Sequence, residues 1–254
     1  MFIDIHTHLE QFKTVEIPGI LNSAIENKVD LIITAGTTIE SSQKSIELSK
    51  KHPILFAGIG IHPMDINEKL PKNFEEILSN LVNENKENVV CISEIGLDFL
   101  PTSPEQKIQE DVFKKQIEIA KQFKLPIIFH SRNSNKELLQ LLKKENDGDL
   151  KGAFHYFQGS LNEALLAIEL GYFISVAKPI LYNEEVRTVI KQVPVEQLVL
   201  ETDSFPQPWK KYRSNWTEPK LIREIAIELA KLKNLKTSEI EKITTNNAKK
   251  MLNL

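Results

Sequence analysis

The amino-acid sequence predicts an α/β fold: a TIM-like (β/α)8 barrel occupying residues 1–254 as a single domain. Three observations carry that expectation. Eight short apolar runs, rich in β-branched residues, alternate with segments of helical pattern. A chain of 254 residues has the length of one such barrel. His6, His8, Glu94, His130, His155 and Asp203 all fall at the C-terminal ends of apolar runs, and a parallel barrel gathers its strand ends at one mouth.

The elements follow in order. Residues 2–6 read as the first strand and 17–28 as a helix; 30–35 and 39–52 repeat the pattern, as do 55–61 and 74–85. The fourth strand covers 89–95. The helix over 104–123 is longer, and Pro104 and Glu105 suit its first turn. Strands at 126–130, 152–157 and 172–176 precede helices at 134–144, 160–170 and 184–192. The eighth strand covers 198–203, and two helices follow at 219–233 and 237–252. Apolar strands separated by helices form a parallel sheet covered on both faces. A doubly wound open sheet would carry a glycine-rich phosphate loop after its first strand; His6-Thr7-His8 stands there instead.

Composition narrows the function. Apolar residues make up 41% of the chain, enough for a substantial core. The net charge is −3, so binding to nucleic acid would need a local patch or a metal. Cys91 is the single cysteine, which excludes an intrachain disulfide and fits a reducing, cytoplasmic setting. The N-terminus opens on an apolar strand without a basic leader, so a signal peptide is not expected. Without a long apolar run, neither a membrane span nor a membrane partner is expected.

Side chains alternate along a strand. That places Asp4, His6 and His8 on one face, Glu201 with Asp203, and Ile92 with Glu94. Cys91 then points the other way, packed under a helix. His6-x-His8 alone is a weak motif. Joined by Glu94, His130, His155 and Asp203, it becomes a donor set for one or two divalent ions, because imidazole suits zinc or manganese and carboxylate can bridge. An open coordination position would lower the pKa of bound water to about 7, giving a hydroxide nucleophile.

The motifs Asp4-Ile5-His6-Thr7-His8, Gly60-Ile61-His62-Pro63, Glu94-Ile95-Gly96-Leu97-Asp98 and His130-Ser131-Arg132 occur in that order. His155 within residues 154–160 and Glu201-Thr202-Asp203-Ser204 continue the series, which runs on to Asn246-Asn247 and Met251-Leu252. In order and spacing the chain resembles the TatD family of the amidohydrolase superfamily. The resemblance implies a distorted barrel with two divalent metal ions (Zn2+, Mn2+ or Mg2+) and DNase activity, either exonuclease or endonuclease. It implies that His6, His8 and Asp203 hold one ion and His130 and His155 the other, with Glu94 bridging. Asp203 would also orient or deprotonate the attacking water. Some members of the family act on other esters, including mischarged tRNA.

The chain departs from the family pattern at its walls. Ser93 stands where glycine is common, Tyr156 and Gln158 replace cysteine and serine, Phe205 replaces proline, and Trp216 and Thr217 are extra. No implied ligand is lost.

Other polar residues suggest substrate contacts. His62 is placed to donate to a phosphate or to brace a loop start. Arg132 offers a fork of donors for phosphate, or a salt bridge to Glu94 or Asp98. Asp4, Asp98 and Glu201 suit either support of metal-bound imidazoles or buried ion pairs. Trp209, Lys210, Lys211, Tyr212, Arg213 and Trp216 mix cations with aromatics after the eighth strand. That mixture suits a single-stranded DNA substrate, with Trp209, Lys210 and Arg213 as contacts. The competing readings are a hydrolase of another ester or amide, such as a lactonase or a D-aminoacyl-tRNA deacylase, and a non-enzymatic metalloprotein scaffold.

Overall fold

The computed structural model describes residues 1–146 and 148–254. Its strands are β1 (Phe2–Thr7), β2 (Val29–Ala35), β3 (Leu55–Ile59), β4 (Val89–Asp98), β5 (Ile127–Arg132), β6 (Gly152–Phe154), β7 (Tyr172–Val176) and β8 (Leu198–Leu200). The helices are α1 (Ile17–Glu26), α2 (Ile39–Lys51), α3 (Phe74–Glu84), α4 (Gln106–Phe123), α5 (Asn135–Glu145), α6 (Leu161–Glu169), α7 (Glu184–Gln192), α8 (Ile222–Lys233) and α9 (Thr237–Leu252). Each strand pairs in parallel with the next, from β1 through β8. The ring closes at its mouth end. The Asp203 N–H donates to the His6 carbonyl at 3.0 Å and the His8 N–H to the Ser204 carbonyl at 2.7 Å. This is the distorted, nearly closed single-domain barrel that the sequence predicts.

Helix starts and stops have local causes. Thr38 caps α2 and Ser160 caps α6 through reciprocal bonds with Ser41 and Glu163. α4, α8 and α9 end on Lys124, Asn234 and Asn253 in the left-handed conformation. α9 covers the N-terminal end of the barrel. Asn247 Nδ2 donates to the carbonyls of Val195 and Leu198 at 3.0 and 2.7 Å, and Met251 and Leu252 join a cluster with Ile3, Ile5 and Val199. The opposite end is left open for the site.

Three strand lengths differ from expectation because side chains intercept the ladder. The third strand stops at Ile59. Beyond it, the Gly60 N–H turns to Ser42 Oγ and the Ile61 N–H to Gln116 Oε1. The sixth stops at Phe154, and the Tyr156 N–H goes to Glu201 Oε1 at 2.6 Å. The eighth stops at Leu200, where the Thr202 N–H bonds Asp4 Oδ1 at 3.0 Å. The fourth instead runs on to Asp98, which pairs with Arg132. Gly96 permits that close pairing, since its φ is +144° and a Cβ there would lie 2.0 Å from the His130 carbonyl oxygen.

Strict alternation also fails in β4, whose pairing with β5 shifts register between Ile92 and Ile95. Ile92 therefore packs in the large cluster shared with the helices, while Glu94 faces the mouth. Cys91 lies not under a flanking helix but in the interior cluster of Ile33, Ile128, Ala153 and Val199, side chains of four other strands, which α9 closes with Ala248, Met251 and Leu252; a Cβ at Gly58 would sit 3.0 Å from its sulfur. Ser93, two residues on, reaches across the barrel to His6. Cys91 thus faces the barrel interior, and burial raises its thiol well above the usual range. Native Cys91 is expected to alkylate with iodoacetamide on the order of 1000-fold more slowly than in denaturant, because attack requires opening of the barrel. Mass spectrometry over a time course checks this; rapid native labelling would contradict the interior placement.

Candidate metal centre

Six side chains from five strand ends meet at the open mouth. Glu94 sits at their centre, nearly buried. Its Oε2 lies 3.5 Å from His6 Nε2 and 3.3 Å from His8 Nε2. Its Oε1 lies 2.9 Å from His130 Nδ1 and 3.5 Å from His155 Nε2. Asp203 Oδ1 completes the first side, 3.5 Å from His8 Nε2. The two oxygens of one carboxylate thus address two separate sets of ring nitrogens.

The second nitrogen of each ring is occupied by protein. His8 Nδ1 lies 2.8 Å from the Ala35 carbonyl, His155 Nδ1 3.0 Å from Glu201 Oε2, and His130 Nε2 3.0 Å from Asp98 Oδ2. These partners only accept, so they hold the proton on the outer nitrogen and leave the inner lone pair for a cation. His6 Nδ1 meets the Ser93 hydroxyl at 3.3 Å. Each of the four imidazoles is thus positioned by a different outer group. The donor set fits divalent metal: His6, His8 and Asp203 place ligand atoms within 4.8 Å of one another, as do His6, Glu94 and His155.

His62 also approaches, with Nε2 3.5 Å from Glu94 Oε1, and its atoms group with those of Glu94 and His130. Its other nitrogen tells it apart. The Met64 N–H donates to His62 Nδ1 at 3.1 Å. The neutral ring then carries its proton on Nε2, aimed into the site, where a ligand would need a lone pair. Burial pushes the His62 imidazole down to about 3, so the ring is a neutral donor.

The electrostatics match a site short of cations. Burial would raise the Glu94 carboxyl, yet His62, His155, His130 and His6 hold it well below its usual range. Burial opposes charge on His155 as well, but Glu201 and Glu94 lift it to about 9. Burial and then the neighbouring His155 lower His6. A bound dication would displace protons from such rings.

Of the expected supports, Glu201 and Asp98 hold imidazoles; Asp4 does not. Asp4 accepts from the Thr202 N–H and from Thr202 Oγ1 at 2.6 Å, fastening β1 to the segment after β8. Burial raises its carboxyl well above the usual range. Glu10 carried no sequence signal. It is buried beneath His8, its Oε1 3.6 Å from Nδ1 and its Oε2 accepting from Thr34 Oγ1. Its other partner, Thr34 on β2, is brought to it only by the fold.

The site opens into a cavity of ≈ 1230 Å³. His62, Arg132 and Lys210 line it. Arg132 Nε lies 3.4 Å from Asp98 Oδ2 while half of its side chain stays exposed, leaving the terminal nitrogens for a ligand. Trp209 is 69% exposed and its ring lies 5.8 Å from that of Phe205, a cavity residue. Arg213 is not brought to this cavity. It pairs with Glu16 and Glu218 and stacks on Phe12 and Trp216.

A parallel barrel with histidine and carboxylate side chains gathered at its C-terminal mouth, able to hold metal, fits a metal-dependent hydrolase of the β/α-barrel class. The family model of the TatD related DNases matches residues 3–253, and the chain belongs to that family. An uncharacterized metal-dependent hydrolase of Buchnera aphidicola is 32% identical over 266 residues, covering 99% of each chain. The protein tatdn3 of Danio rerio, described as a candidate deoxyribonuclease, is 31% identical over 97% of this chain and 95% of its own. The crystal structure of YjjV, a TatD homologue of Escherichia coli, superposes with a TM-score of 0.91 at 29% identity, covering 100% of this chain and 98% of that one. No helix among the described residues is long and apolar enough to cross a membrane.

Proposed function

We propose that this chain is a metal-dependent deoxyribonuclease that hydrolyses phosphodiester bonds of single-stranded DNA. The observation that carries the reading is the division of Glu94 between two sets of ring nitrogens, which suits a carboxylate shared by two cations. His6, His8 and Asp203 would hold one, His130 and His155 the other. When bound, such ions acidify water and neutralise charge on a phosphate.

The chain's own residues supply the rest. The Asp203 carboxylate, partly exposed at the mouth, orients the attacking water and takes its proton. His62 donates from Nε2 to a non-bridging phosphate oxygen, and Arg132 presents its remaining donors from the facing wall. Glu201 and Asp98 keep the histidine rings in their working tautomers. The family's DNase description and that of tatdn3 favour DNA as the substrate.

The test is turnover of single-stranded and duplex DNA, a lactone and a D-aminoacyl-tRNA, with Zn2+, Mn2+ and Mg2+ in turn. Single-stranded DNA is expected to be cleaved fastest. Turnover of the lactone or the aminoacyl ester without cleavage of DNA would replace this reading. Trp209→Ala is expected to weaken binding of single-stranded DNA about tenfold and to change hydrolysis of a small phosphodiester less than about twofold, as loss of one stacked base would. Equal losses on both substrates would argue against stacking.

A further inference from the structure

Away from the histidine and carboxylate cluster, two lysines line the cavity. Lys178 lies just after β7 and Lys210 in the loop after β8, and both line the cavity. Lys178 Nζ donates to Thr217 Oγ1 at 3.2 Å. Lys210 Nζ donates to the Asn215 carbonyl at 2.9 Å. Thr217 is itself buried and fixed, its N–H donating to Gln207 Oε1 at 2.9 Å. The two anchors, Thr217 and Asn215, lie two residues apart in one segment and bring both ammonium groups to the same part of the cavity. Partial burial, and then the neighbouring Lys178, lower the affinity of Lys210 for its proton. Among the described residues neither lysine pairs with a carboxylate. Two cations so placed repel, and an anion seated between them converts that repulsion into attraction.

The ligand's class follows from the surroundings. Asp203, Arg132 and the lysine pair line one continuous cavity, so one ligand can touch all of them. Its ≈ 1230 Å³ exceeds what a single small ester needs. Tyr156, Tyr182 and Phe205 line it too, aromatic side chains of the kind on which bases stack. We propose that Lys178 and Lys210 form a subsite for a second, non-scissile phosphate of the nucleic-acid strand, adjacent to the bond being cut. This rests on the nuclease reading above and adds a requirement: the substrate must carry at least two phosphates.

The test uses metal-loaded protein and single-stranded oligonucleotides in which one non-scissile phosphate at a time is a neutral methylphosphonate. In the wild type, one such position is expected to raise KM about tenfold with kcat held. Lys178→Gln is expected to raise KM for the unmodified strand by about as much, and the same neutral position should then add less than about twofold. The slope of log KM against log salt should fall by about 0.7. Lys210→Gln must show the same coupling, which guards against a folding defect in one variant. Effects that multiply independently, or no sensitive position, would overturn the subsite. Binding of a labelled oligonucleotide, read by anisotropy, separates the two proposals. A strand bound but not cut, with at least about fivefold weaker binding by Lys178→Gln, retains the subsite and removes the nuclease reading. A strand cut by the wild type and bound equally by Lys178→Gln removes the subsite alone. A strand neither bound nor cut removes both.

Discussion

Glu94→Gln is expected to reduce turnover by at least about 1000-fold and to lower bound divalent metal by half or more. The substitution keeps the shape of the side chain and removes its charge. It also replaces one acceptor oxygen by an N–H donor, which would face either the His6 and His8 pair or the His130 and His155 pair. In either orientation one set of ligands loses its shared anion. The fold should survive, because the backbone of Glu94 is held independently by its N–H bond to the Gly36 carbonyl at 3.0 Å. Elemental analysis after gel filtration, with circular dichroism as the control for folding, checks both parts. A folded variant with wild-type metal content would refute the central place given to this carboxylate.

Asp203→Asn should behave differently. Its kcat is expected to fall about 100- to 10,000-fold while most bound metal remains, since His6, His8 and Glu94 keep their positions and only the proton acceptor is lost. The choice of asparagine matters. Asp203 has φ +51°, a conformation that asparagine tolerates and that costs alanine roughly 1 kcal/mol. Asparagine also keeps an oxygen that can face His8. An alanine variant would mix lost chemistry with backbone strain. Metal titration and kcat measured together distinguish the cases: a variant that lost metal as completely as Glu94→Gln would make Asp203 a ligand first and a base second.

Much of the site was legible because strand ends carry its histidines and carboxylates. Each of these side chains follows a recognisable apolar run, and a parallel barrel leaves few places for such ends to go. The supporting groups were harder to read. Glu201 and Asp98 were open to two roles, and the structure gives both to imidazole rings. Asp4 shares parity with His6 but is taken up by Thr202, whose N–H and hydroxyl both donate to its carboxylate. A register shift in β4 turned Cys91 inward and Ile92 outward. Arg213 illustrates the other limit. A cation among aromatics suits nucleic acid in sequence, yet here Glu16, nearly two hundred residues away, engages it from α1's entry. No local pattern announces such a partner.

Along the chain itself, hydrophobic periodicity and residue chemistry determined the barrel, the order of its elements and the histidine and carboxylate side chains that meet at its mouth. These are local properties, set by alternation, by helix signals and by what imidazole and carboxylate can bind. The tertiary structure alone decided which nitrogen of each ring faces the site, which carboxylates stand behind the ligands, and which cations reach the cavity. Those outcomes depend on contacts between segments dozens to hundreds of residues apart, and a register shift of one residue is enough to reverse them.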